Sequence, residues 1–172
     1  MNAKEAQKEL KTLLSESFEK DSVIAEWRSN AGARDWLQFG DIYAPRPDIA
    51  VGPFNIEEGR NIGEIESVFE QYQAFFSKLG LYNINENPRC LFAIEIENSN
   101  KGKHMMGNII NASILGKVGI IVTLRNEFYK AAINMHNYLV GAFERKKMGH
   151  NPLNIAIMNY DELMRLLRKS FH

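Results

Sequence analysis

Apolar residues recur at helical spacing from the start of the chain. Ala3, Ala6, Leu10, Leu13, Leu14 and Phe18 form one stripe among Lys and Glu, which predicts an amphipathic helix over residues 2–20. Asp21 or Ser22 is placed to cap a second short helical turn carrying Val23, Ile24 and Trp27. Asn30-Ala31-Gly32 reads as a break, and Trp36 to Tyr43 as a strand interrupted at Gly40-Asp41. Pro45 and Pro47 then force extended backbone ahead of Asp48. In the strand that follows, Ile49 and Val51 share one face, and Asp48, Ala50 and Gly52 the other. Asn55 to Asn61 is loop. Ile62, Ile65, Val68 or Phe69, Tyr72, Phe75 or Phe76, and Leu79 mark one long helix with Gly80 as its C-cap.

The second half alternates more regularly. After a turn-rich span from Asn83 to Arg89, the run from Leu91 to Glu97 places Phe92, Ile94 and Ile96 on one face and Ala93, Glu95 and Glu97 on the other. A polar turn leads to a helix with Met105, Met106, Ile109, Ile110, Ile114 and Leu115, then to the β-formers Val118 to Val122. Residues 126–146 predict another helix, ending in the basic run Arg145-Lys146-Lys147. Gly149 to Pro152 is a turn, Leu153 to Met158 a short strand, and Tyr160 to Ser170 a last helix capped by Asp161. No internal repeat or linker interrupts the chain, so residues 1–172 are expected to form a single domain. Strand–helix–strand units with apolar strands predict an α/β fold, a central mixed β-sheet flanked by helices.

Composition narrows the setting. The single cysteine, Cys90, excludes an intrachain disulfide and a cysteine-based zinc site, and makes a reducing, cytoplasmic location the expectation. The N-terminus is charged and periodic, unlike a signal peptide, and no apolar run approaches the roughly 20 residues of a membrane span. Net charge is zero but segregated. Residues 1–100 carry 17 Asp/Glu against 10 Lys/Arg, and residues 101–172 carry 4 against 11. That division suits an acidic centre bordered by a basic, phosphate-facing surface, and equally suits charges that mix again on folding.

The two glutamates of the Leu91–Glu97 run pose the chemical question. On a strand, residues two apart lie on the same face about 6.6–7 Å apart. Glu95 and Glu97 can therefore flank one cation, with Asp48 on another strand completing an acidic side. A bound divalent ion is the commonest remedy for like charges brought together in an interior. Mg²⁺ takes a few carboxylates plus waters at about 2.0–2.1 Å. The plainer alternative is a half-exposed strand whose polar face meets water. On the helix that follows, His104, Asn108 and Asn111 recur at i, i+4 and i+7, one polar stripe on an otherwise apolar helix. Bordering the carboxylates, it would steady a ligand or touch phosphate; facing solvent, it would do neither. Lys101 and Lys103 in the preceding turn, and Arg46 beside Pro47, are phosphate-contact candidates or ordinary surface cations.

Pro47-Asp48 followed on a later strand by Glu95-Ile96-Glu97 resembles the PD-(D/E)xK, or restriction endonuclease-like, nuclease superfamily in its E-x-E variant, with Glu97 where lysine is usual. The resemblance covers residues 2–123 and implies an αβββαβ core, here with an extra C-terminal helix–strand–helix and a helix inserted between the two motif strands. It also implies Mg²⁺ or Mn²⁺ as cofactor, DNA as substrate, hydrolysis of phosphodiester bonds by a metal-activated water, and a homodimer for symmetric cleavage. Asp48, Glu95 and Glu97 would be the metal-binding and catalytic residues. Glu97 would orient or deprotonate the attacking water, directly or through a second metal. Glu16 and Glu19 are noted because related folds add an acidic helix residue, although surface glutamates read the same way. The competing expectation is a nuclease-fold protein that has lost catalysis and binds nucleic acid or a protein partner. His136, His150 and His172 show no metal-ligand spacing.

Overall fold

The strand that carries the two glutamates is the middle of a mixed sheet. A computed structural model describes residues 1–19, 22–28, 45–55, 62–81 and 83–171. Within these, β1 (Val23–Ala25), β2 (Ile49–Phe54), β3 (Cys90–Glu97), β4 (Gly116–Thr123) and β5 (Ile155–Asn159) lie side by side in chain order. β1, β2 and β3 pair antiparallel; β3, β4 and β5 pair parallel. The helices are α1 (Ala3–Ser17), α2 (Ile62–Gln71), α3 (Gln73–Phe76), α4 (Gly102–Leu115), α5 (Asn126–Glu144) and α6 (Tyr160–Phe171). The α/β expectation thus holds as a five-stranded mixed sheet flanked by helices. No helix among the described residues is long and apolar enough to cross a membrane.

Period-two alternation places a core on each side of the sheet. Ile49, Val51, Phe92, Ile94, Ile96, Val118, Ile120 and Val122 meet α1, α2, α3 and α6 on one face. Ala50, Ala93 and Ile121 meet α4 and α5 on the other. The carboxylates of β3 therefore lie on the α4 side. Here α4 comes close to the sheet: a Cβ built on Gly119 would stand 2.9 Å from the backbone of Ala112, so glycine permits the approach. At the start of the chain, Asn2 and Glu5 form a reciprocal capping box, the Glu5 amide donating to Asn2 at 3.0 Å and the Asn2 amide to Glu5 at 2.9 Å.

Four local expectations change. The predicted helical turn at 22–27 is instead strand β1, because pairing with β2 captures the β-branched Val23 and Ile24. α1 ends at Ser17, and Phe18 turns extended to join Phe92, Tyr72 and Phe171 at ring separations of 5.2 to 5.7 Å. The long helix predicted from Ile62 breaks at Tyr72 into α2, α3 and a 3₁₀ turn, Ser77–Leu79, that ends on the left-handed Gly80 (φ 66°). That break accompanies the packing of Tyr72 and Phe75 against Phe171, at 5.3 and 5.2 Å. α6 begins at Tyr160 as expected, but Asp161 lies in its first turn instead of capping it, and the start is anchored where the Tyr160 hydroxyl donates to Glu9 at 2.8 Å. The break expected at Asn30–Gly32, the strand expected at Trp36–Tyr43 and most of the loop from Asn55 to Asn61 lie outside the described residues.

Candidate metal centre

The strand directions bring several chain segments to one edge of the sheet, where β3, β4 and β5 end and β2 begins. Ile49 pairs with Ile94 and Ala50 with Ala93, so one further step of the register sets Asp48 across from Glu95. Pro47 is buried just before it, holding the backbone extended into the strand. The Ile96 amide donates to Asp48 Oδ2 at 2.7 Å, and the Asp48 amide in turn faces the Glu95 carboxylate. The two strands thus clasp each other through their acidic side chains.

Glu95 is 4% exposed and Glu97 is fully buried, which excludes a half-exposed strand with a solvated polar face. Burial dominates their electrostatics. Desolvation, followed by the charges of Asp48 and Glu97, pushes the Glu95 carboxyl up to about 9. Desolvation also raises Glu97, against the hydrogen bond from Asn108 and the nearby His104 charge. Asp48 is raised by the same cause, offset by the Ile96 amide. Glu95 Oε1 and Glu97 Oε2 are buried without a hydrogen-bond partner among the described residues. Each glutamate therefore has one buried oxygen unspent, a state that costs stability unless a proton or a cation occupies it.

The polar stripe of α4 reaches this edge in part. Asn108 Nδ2 donates to Glu97 Oε1 at 2.7 Å and lies 3.3 Å from His104 Nε2, one turn earlier. Asn111 is half-buried and makes no hydrogen bond to the three carboxylates. Lys101, Lys103 and Arg46 are exposed, and no lysine or arginine among the described residues forms an ion pair with Asp48, Glu95 or Glu97. Glu19 is exposed, and Glu16 lines a surface groove between α1 and α6, with Thr12, Met164 and Arg168.

One acidic residue went unread in the sequence. Glu26 follows β1 at φ 51°, its amide donating to the Asp48 carbonyl at 3.1 Å. Gln7 of α1 joins the same two residues, its Nε2 donating to Asp48 O at 2.7 Å and to Glu26 Oε1 at 3.4 Å. The Glu26 charge contributes to raising both Asp48 and Glu95. A strand assignment for Val23-Ile24 would have exposed the signal, since it puts Glu26 at the same edge as Asp48.

The donor set is all oxygen and suits a hard divalent cation such as Mg²⁺ or Mn²⁺ rather than a softer metal. The two unspent oxygens on Glu95 and Glu97 fit that role. Among the described residues, no group of three or more His, Cys, Asp or Glu side chains is arranged to hold a metal ion. Asp48 and Glu97 each give one oxygen to a protein donor. Comparison of the chain with protein-family models, curated proteins and solved structures finds no match.

Proposed function

We propose that this protein is a Mg²⁺- or Mn²⁺-dependent endonuclease that hydrolyses phosphodiester bonds in DNA, with Asp48, Glu95 and Glu97 as its centre. The observation that carries the reading is the pair of buried, unpartnered carboxylate oxygens on Glu95 and Glu97 beside Asp48 of the adjoining strand. A divalent cation in such a site supplies a water of lowered pKa and neutralises charge on the phosphate. Asp48 and Glu95 would hold the ion. Glu97, fixed through Asn108, would orient the attacking water or take its proton. Further support is the element order α1-β1-β2-β3-α4-β4, which parallels a restriction endonuclease-like αβββαβ core with α2 and α3 inserted. Lys101 and Lys103, at the start of α4 after β3, are available to phosphate from solvent. Symmetric cutting of duplex DNA would take two copies of the chain.

Purified protein should nick or cut DNA when Mg²⁺ or Mn²⁺ is added, and Glu95→Gln should lower the rate at least a hundredfold. Cleavage that survives chelation, or that is unchanged in Glu95→Gln, rejects the assignment. A second reading is a nuclease-fold protein that binds nucleic acid without cutting. It is favoured by Glu97 standing where lysine is usual, with no lysine or arginine among the described residues paired to the centre. Divalent binding without cleavage of single- or double-stranded DNA would select it.

A further inference from the structure

A cavity of about 760 Å³ opens at the far end of β2 from Asp48, between the end of α1 and one flank of α2. Small-molecule sites typically enclose roughly 300–1,000 Å³. Its walls combine aromatic and aliphatic surface with carboxylates, and no described lysine or arginine lines it. Phe18, Val68 and Tyr72 supply the apolar part; Phe18 is buried, and Val68 and Tyr72 are half-buried. Glu19 stands on the α1 side and Glu64 on the α2 side, both exposed and neither in an ion pair among the described residues. On α2, Glu64, Val68 and Gln71 recur at i, i+4 and i+7, so one flank of the helix turns all three toward the space. α1 adds to the negative potential. Its C-terminal carbonyls point to this end, where Ser17 lines the cavity, and its last turn has no basic residue to offset them.

We propose that this cavity binds a polyamine, a chain of methylenes carrying several ammonium groups. Charge and shape together select that occupant. Carboxylates on two separate walls, beside a helix C-terminus, favour a ligand with more than one positive charge, and no lining side chain among the described residues supplies it. Phe18, Val68 and Tyr72 suit the methylenes, and an ammonium over an aromatic face gains further attraction. Gln71 offers a neutral acceptor for another ammonium. A hard dication is a poorer fit, since it takes a full shell of oxygens and leaves the aromatic walls unused. Polyanions, nucleic acid included, are repelled. The cavity and the carboxylates of the metal centre lie at opposite ends of β2, so the site is independent of the endonuclease reading.

Calorimetry with spermidine tests it. Wild-type chain should bind one spermidine, about tenfold more tightly than the uncharged 1,8-octanediol, and more weakly as salt is raised. Glu19→Gln and Glu64→Gln should each weaken spermidine about fivefold, the upper end for a charge pair exposed to solvent. Both positions are exposed, so the fold should survive, which circular dichroism and melting check. Added Mg²⁺ and the Glu95→Gln substitution should leave spermidine affinity within about twofold, because they act at the other end of the sheet. No binding of spermidine, equal binding of the diol, or unchanged affinity in both glutamate variants overturns the site. Binding lost in Glu95→Gln but kept in Glu19→Gln and Glu64→Gln moves the amine to the metal centre and also overturns it. Tri-lysine binding more tightly than spermidine would make the occupant a basic peptide and overturn the polyamine assignment.

Discussion

Two ends of the same sheet treat buried charge in opposite ways. At the start of β4, Lys117 is 1% exposed, ion-paired with Glu66 of α2, which is 40% exposed, and its ammonium lies 5.4 Å from the centre of the Phe69 ring. At the other end, Glu95 and Glu97 are as deeply buried, but the groups around them are carboxylates, an asparagine, backbone amides and the exposed His104. Lys117 is four strand steps from Ile121, the partner of Glu95, and six from Thr123, the partner of Glu97, roughly 13 and 20 Å, so the lysine cannot serve the acids. The first end is neutral as folded and reads as structure. The second gathers carboxyl groups that no lysine or arginine among the described residues pairs with, so burial holds Glu95 in its protonated form, and shifted carboxyls grouped in this way are more frequent at functional sites than elsewhere.

The largest effect should come from the unbalanced end. With its folded-state pKa raised, Glu95 holds its proton while the unfolded chain releases it. Stability is therefore unaffected below the ordinary glutamate value of 4.5 and falls as pH rises from there, until the folded carboxyl ionises at about 9. The slope approaches about 1.4 kcal/mol per pH unit for one group. Urea unfolding of chelator-treated protein across that range should show the fall in wild type and a much flatter profile in Glu95→Gln. Equal slopes in the two proteins would remove the contrast between the ends.

The balanced end should respond to removal of one partner and tolerate loss of the buried charge itself. Glu66→Ala strands the Lys117 ammonium inside the protein and should cost about 3 kcal/mol. Lys117→Met fills the same space without charge and should stay within about 1 kcal/mol of wild type. Thermal and urea unfolding decide it; a larger loss in Lys117→Met than in Glu66→Ala would mean that the pair does more than neutralise itself. The smallest effect concerns the brace at the acidic end. Asn108→Ala frees Glu97 Oε1 and should weaken Mn²⁺ binding about tenfold, at the lower end of what such supporting hydrogen bonds contribute. Unchanged Mn²⁺ affinity would take Asn108 out of the centre.

Much of this was legible along the chain. The alternation in β2 and β3 announces strands and puts Asp48, Glu95 and Glu97 on matching faces, since side-chain direction in a strand is set residue by residue. The i, i+4 spacing of His104 and Asn108 likewise predicts their meeting on α4, and their side chains lie 3.3 Å apart. Other features had no local signature. β1 has three residues, too few for periodicity, and is a strand because β2 lies beside it. The break at Tyr72 lies inside an unbroken helical pattern and accompanies rings contributed by Phe18 just past α1, by β3 and by α6.

The sequence by itself determined most of the helices and strands, β1 and the break at Tyr72 excepted, and which residues share a face, because those properties repeat within a few residues of the backbone. Only the tertiary structure decided which charges are neutralised. Lys117 found Glu66, Glu26 came to lie beside Asp48, and Glu95 and Glu97 were buried with oxygens unspent. Desolvation and Coulomb energy depend on distance through space and on exclusion of water, and neither quantity is written in the order of residues.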